Sequence, residues 1–201
     1  MSNVAKEFER RVMLTEQEYL NIVSHFLKIY PNHHFLQNNN YYFDTSDLFL
    51  RQKHITLRIR TINDVRAELT LKIKGYNGDE EINDDITFEE MKNIIKEKVF
   101  PDGGVKKYLL TLALPLSSYE NIVVLYNRRL EIAYPDHLLV IDKNEYNGII
   151  DYNLEVEAKD NIQLADTFLK QYIKQFNLSL GNLNYRGKAT RAIDSVTKKD
   201  H

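Results

Sequence analysis

Glu7, Glu9 and Arg11 occupy alternate positions in the stretch EFERR, residues 7–11. A strand turns successive side chains to opposite faces, so these three point the same way. The pattern recurs: Arg58 and Arg60 alternate in LRIR, Lys72 and Lys74 in LKIK, Glu155 and Glu157 in LEVE, and Arg129 precedes Glu131 by two. Carboxylate oxygens suit hard divalent cations, and Mg²⁺ is commonly held by few carboxylates together with substrate phosphates. Guanidinium and ammonium groups suit polyphosphate oxygens. Side by side, the two sets meet the needs of metal-assisted phosphoryl transfer: charge neutralisation, alignment and an attacking water. On any one strand the alternation is the ordinary solvent face of a half-buried sheet. Acidic pairs on two distant strands, with basic pairs on a hairpin between them, point instead to the interior of a barrel whose apolar face is covered by helices.

The elements that must position these residues follow from periodicity and turn chemistry. Residues 4–14 alternate as a strand, and TEQEYLNIVSHFLKIY then shifts to a helical stripe opened by a Thr15/Glu18 capping box and closed by Pro31. A strand is expected in FLQNNNYYFDT, and HITLRIRTI and RAELTLKIK should form a hairpin about Asn63-Asp64. GYNGDEE reads as a loop leading to a short extended piece around Glu81. Thr87 and Glu90 form a second capping box opening a helix that Pro101 to Gly104 break, and VKKYLLTLAL reads as a further short helix. Three strands are expected between 119 and 159, separated by Pro135-Asp136 and Asn147-Gly148, then a helix over 161–176 and a polar tail containing NYRGKATRAI. Strands joined by hairpin-length connections imply an α+β fold: an antiparallel sheet, open or closed into a β-barrel, with helices packed outside. No internal repeat or linker divides the 201 residues, which read as one domain.

Composition narrows the function. A net charge of −2 and a pI near 6.3 lack the basic excess of a dedicated nucleic-acid binder. With no cysteine, disulfides and thiolate metal sites are excluded. The N-terminus has no apolar signal region, and the longest apolar runs are too short to cross a membrane, so a cytoplasmic protein is expected. GNLNYRGKA is not a P-loop: five residues separate Gly181 from Gly187 where the motif has four, and Ala189 stands where a Ser or Thr would hold Mg²⁺. The histidines form no zinc pattern.

EFERR resembles the ExExK signature of the CYTH domain, the triphosphate tunnel metalloenzyme superfamily. YYFDT, LRIR, LTLK, Glu81 before a helix, RRLE, DYNLEVE and GKATRA follow in the same order, so the likeness covers roughly residues 5–195 and is nearest to the small CYTH proteins of bacilli. The resemblance implies an eight-stranded antiparallel tunnel enclosing a triphosphate and a divalent metal, Mg²⁺ or Mn²⁺. It implies that Glu7, Glu9, Glu155 and Glu157 face the metal, with Glu81 and Asp142 as further acidic positions that hold metal or water or orient basic side chains. Arg58, Arg60, Lys72, Arg129 and Lys188 would bind phosphate, joined by Lys74 and Arg186. The implied activity is hydrolysis of inorganic triphosphate or a nucleoside triphosphate, a small-molecule substrate. Class IV adenylyl cyclase, thiamine triphosphatase and a non-catalytic triphosphate-binding module are the alternatives within the same fold. One position departs from the pattern: Arg11 stands where the family usually has Lys. Phosphate binding by Arg11 should survive that exchange, whereas a catalytic role that needs a compact ammonium would not.

Overall fold

The structure, a computed structural model, describes residues 3–75, 79–159, 161–179 and 186–197. Eight strands, β1 (Asn3–Leu14), β2 (Leu36–Asp44), β3 (Ile55–Ile62), β4 (Arg66–Ile73), β5 (Asp79–Ile86), β6 (Glu120–Ala133), β7 (His137–Tyr146) and β8 (Ile149–Ala158), form one curled antiparallel sheet. Their order is β1-β5-β4-β3-β2-β6-β7-β8, and β1 is shared, its residues 3–7 pairing with β5 and 8–14 with β8. Among the described residues six α-helices accompany them: α1 (Glu16–Ile29), α2 (Phe49–Gln52), α3 (Phe88–Glu97), α4 (Gly104–Thr111), α5 (Ile162–Gln175) and α6 (Lys188–Thr197). Among the described residues no helix is long and apolar enough to cross a membrane.

Local chemistry accounts for most of these boundaries. Asn63 and Asp64, and later Asn147 and Gly148, take left-handed backbones, with φ of 50°, 54°, 47° and 77°. Such residues match the twist of the flanking strands and set the β3–β4 and β7–β8 hairpins. Both capping boxes form: Thr15 Oγ1 accepts from the Glu18 amide at 3.2 Å and Thr87 Oγ1 from the Glu90 amide at 3.1 Å.

The outer face of the sheet is apolar and covered. Leu57, Ile59, Leu69, Leu71 and Ile82 pack under Met91 and Ile94 of α3 and Val105 and Leu109 of α4. Val12, Leu130, Ile132, Leu139, Leu154 and Val156 pack under Ile22 and Phe26 of α1 and Leu169 of α5. Each such side chain contributes about 1.5–3 kcal/mol by leaving water, which fixes which face turns outward. The alternate side chains are thereby forced to the concave side.

Two segments differ from the sequence reading. DEEINDDI, expected as a short extended piece, is a full strand, β5, paired on both sides. GKATRAI, expected as polar tail, contributes to a helix, α6, whose Ala192 and Ile193 pack on the concave face against Tyr42, Val123, Leu125 and Tyr146.

Gly103 shows how tightly the outer layer is seated. Asp84 of β5 accepts hydrogen bonds from the Gly104 and Val105 amides at 3.1 and 2.9 Å, closing the open end of α4. A Cβ on Gly103 would lie 2.3 Å from Asp84 Oδ2. Gly103→Ala is therefore expected to lower stability by about 1–3 kcal/mol, read as a lower thermal midpoint. An unchanged midpoint would mean that Asp84 moves aside without losing the cap.

Candidate functional site

The concave face of the sheet is lined with charge, and strand register pairs opposite signs across neighbours. Arg11 stands opposite Glu155, Lys72 opposite Glu81, and Arg129 opposite Asp142. Directly opposed, oppositely charged side chains attract, so the register itself assembles the site. All but Asp142 line a cavity of about 810 Å³, within the size range of small-molecule sites.

Carboxylate oxygens of Glu9, Glu155 and Glu157 lie within 4.8 Å of one another. An all-oxygen donor set of this kind fits a hard divalent cation. Glu155 is 0% exposed and accepts from Arg11 Nε at 2.9 Å, Lys188 Nζ at 2.9 Å and Arg129 Nη2 at 3.5 Å. Burial alone would raise the Glu9 carboxyl; Lys72, Arg11 and Lys188 outweigh it and hold the group well below the usual carboxylate range. Glu155 is also lowered: Lys188 and Arg11 overcome burial and the repulsion of Glu9 and Asp142. Both carboxylates are thus charged at neutral pH.

Further cations line the cavity. Arg58 Nη2 donates to Glu81 at 3.1 Å, Arg60 Nε donates to Asn40 Oδ1 at 3.0 Å, and Lys72 Nζ lies 3.5 Å from both Glu9 and Asp79. Burial, then Arg58 and Arg129, push the Arg60 guanidinium down to about 10, with Glu68 opposing. Guanidinium groups crowded in this way repel one another, and an anion among them would relieve that repulsion.

The structure brings most of the residues singled out from the sequence to this cavity. Glu9, Arg11, Arg58, Arg60, Lys72, Glu81, Arg129, Glu155, Glu157 and Lys188 line it, with Lys74 and Arg186 at exposed positions on its wall. The backbone of Glu7 pairs with Asp79, and its side chain lies outside the described residues. Asp142 is set behind the wall: Arg129 donates to it from Nε and Nη2 at 2.9 and 3.0 Å, and Lys188 Nζ at 2.6 Å. Those three bonds overcome the cost of its burial and hold its carboxyl far below the usual range. Glu81 likewise faces a cation, and neither belongs to the carboxylate trio. Arg11 is 8% exposed and spends its guanidinium on carboxylates, donating from Nη2 to Glu9 at 2.5 Å and from Nε to Glu155.

Two supporting residues of the site, and one carboxylate outside it, escaped the sequence reading. Glu68 lies 3.4 Å from Arg60 and 3.9 Å from Arg58, and its signal was present, since it alternates with Thr70 and Lys72. Arg191 donates from Nε and Nη2 to the two oxygens of Asp151, at 2.8 and 2.9 Å, and from Nη2 to Asn153 at 2.9 Å. It thereby fixes α6, which carries Lys188 one turn earlier. Asp44, in the YYFDT stretch, accepts from the amides of Thr45, Leu50 and Arg51 at 2.8, 2.8 and 2.9 Å, shaping α2 rather than reaching the cavity.

Comparison with known proteins agrees with this architecture. YjbK of Bacillus subtilis (strain 168), which its name proposes as a triphosphatase, is 33% identical over 172 residues, 86% of this chain and 87% of YjbK. The solved structure of bh2851 from Bacillus halodurans, whose name proposes an adenylate cyclase, matches with a TM-score of 0.83 at 27% identity, covering 94% of this chain and 97% of its own. HpAC1 from Hippeastrum, a protein with a dominant triphosphatase activity, shares the fold with a TM-score of 0.74 at 18% identity, over 94% of this chain and 95% of its own. A model of the CYTH domain matches residues 5–183, and with the curled sheet and its charged concave face in view, the chain belongs to the CYTH domain family.

Proposed function

We propose that this protein hydrolyses small-molecule triphosphates, inorganic triphosphate or a nucleoside triphosphate, with Mg²⁺ or Mn²⁺, as a single CYTH domain in the cytoplasm. One observation carries the reading: a cluster of three carboxylates and a set of Arg and Lys side chains line one cavity. The name of YjbK points to the same activity. The pairing of β1 with both β5 and β8 supports a sheet that closes round the substrate as a tunnel.

Glu9, Glu155 and Glu157 would hold the divalent ion, which when bound supplies charge neutralisation and Lewis acidity. The chain's own groups do the rest. Arg58, Arg60, Lys72, Arg129 and Lys188 bind the phosphoryl oxygens, fix the chain of phosphates along the cavity and stabilise the charge that builds up as water attacks in line. Asp142 and Glu81 hold Arg129, Lys188 and Arg58 in place, while Arg11 brackets Glu9 and Glu155. Enclosure of these groups strengthens each interaction with the phosphates.

The name of bh2851 favours a second reading, cyclisation of a nucleoside triphosphate. Both are tested on one preparation. Phosphate released from tripolyphosphate with Mg²⁺ or Mn²⁺, abolished by chelation and accompanied by little cyclic AMP from ATP, is the expected result. Abundant cyclic AMP with pyrophosphate would establish the cyclase instead, and binding without turnover of any triphosphate would leave a binding module.

A further inference from the structure

Tyr42 follows Asn38 and Asn40 on the concave side of β2, and its ring packs with Val123, Leu125 and Tyr146 and with Ala192 and Ile193 of α6. The residue is 0% exposed, and its hydroxyl has no hydrogen-bond partner among the described residues. Tyr146, its neighbour in the same cluster, donates to Asp151 at 2.6 Å. A buried hydroxyl without a partner destabilises a fold, and phenylalanine would fill the same ring pocket without that cost.

Two other tyrosine hydroxyls, of Tyr19 and Tyr119, also lack partners among the described residues, but both belong to the apolar layers outside the sheet. Tyr42 differs in place. It lines the same cavity as Arg58, Arg60, Arg129 and Lys188. Arg58 stands directly opposite it across the β2–β3 ladder, and Arg60 stands opposite Asn40, two residues before it on the same face. A donor kept dry beside guanidinium groups fits an acceptor that arrives with negative charge.

We propose that Tyr42 is a further substrate-contacting residue, its hydroxyl donating a hydrogen bond to a phosphoryl oxygen held beside Arg58 and Arg60. The inference rests on the reading of this cavity as a triphosphate site. Among flexible cations, the phenol adds a donor of fixed direction, because its ring is locked by the packing of α6.

Tyr42→Phe removes the hydroxyl and nothing else. Tripolyphosphate binding, followed by calorimetry with Mg²⁺ for the wild-type chain and the variant, is expected to weaken by about tenfold, the usual order for a hydrogen bond to a charged group. The thermal midpoint without ligand is expected to stay the same or rise. If the variant binds tripolyphosphate as tightly as wild type, the hydroxyl serves no substrate and the inference falls alone. A lower midpoint without ligand would reveal a partner within the fold and overturn it as well. Wild-type protein that binds no tripolyphosphate would remove the triphosphate reading itself, and this inference with it.

Discussion

Glu155→Gln is expected to abolish turnover and to destabilise the metal-free protein, whereas Glu157→Gln abolishes turnover and costs less stability. Both carboxylates belong to the trio that would hold the divalent ion, so either loss should exceed the roughly 10–100-fold cost typical of outer-shell partners. Their other partners differ. Glu155 is fully buried and receives bonds from Arg11, Lys188 and Arg129. Removing its charge leaves Arg11 with Glu9, and Lys188 and Arg129 sharing Asp142, so the buried cations outnumber their counterions; breaking a buried pair in this way costs up to about 3–5 kcal/mol. The Glu157 side chain is 26% exposed and its oxygen lies 3.9 Å from Arg129, so water solvates its charge better than that of Glu155. Phosphate release at saturating Mg²⁺ or Mn²⁺ and thermal melting in chelator read the two effects separately. Near-normal turnover in both variants would remove these side chains from the metal site. A metal-free Glu155→Gln protein as stable as wild type would show that the cations relax at no cost.

That contrast was beyond reach of the sequence, though much else was legible. Alternation places Glu155 and Glu157 on one face with Glu7 and Glu9 on another strand, which by itself suggests like charges in mutual repulsion. Only register shows that Arg11 falls opposite Glu155, or that Lys188 reaches both Asp142 and Glu155 from a segment far along the chain. The hairpin at Asn63-Asp64 and both capping boxes were readable because their causes are local, a few residues apart. β5 was not, because DEEINDDI carries few apolar residues and takes its strand geometry from β1 and β4 on either side. α6 hid for a related reason. KATRAIDSVT has a thin apolar stripe, and Ala192 and Ile193 declare themselves as core only once Tyr42 and Leu125 are opposite them. α2 depends on three amides converging on one Asp44 carboxylate, a tertiary cause that spacing does not reveal.

Arg11→Met is expected to destabilise the metal-free protein strongly and to make its stability depend on divalent metal. The guanidinium bridges two members of the carboxylate trio carried by different strands, Glu9 on β1 and Glu155 on β8. Despite the opposing effect of burial, Glu9 and Glu155 raise its affinity for its proton, so the cation is fixed. A lysine ammonium is a compact point charge, and the planar fork of arginine suits a bridge between two separate carboxylates better. Without it, Glu9 and Glu155 face each other in a buried setting with Lys72 and Lys188 as the nearest compensation. Loss of one partner from such a pair costs about 3–5 kcal/mol, or roughly 10 °C in thermal midpoint for a chain of this size. A divalent ion bound to the trio would restore the missing positive charge, and binding to the native state alone stabilises it by mass action. Adding Mg²⁺ or Mn²⁺ should therefore raise the midpoint of Arg11→Met by more than it raises that of wild type, with Arg11→Lys between the two. If Arg11 instead acts on the substrate, as its place in the ExExK pattern implies, the metal-free midpoint of Arg11→Met will match wild type. Tripolyphosphate affinity will then fall while metal affinity without substrate holds or improves. The midpoint in chelator decides between the bridge and the phosphate ligand.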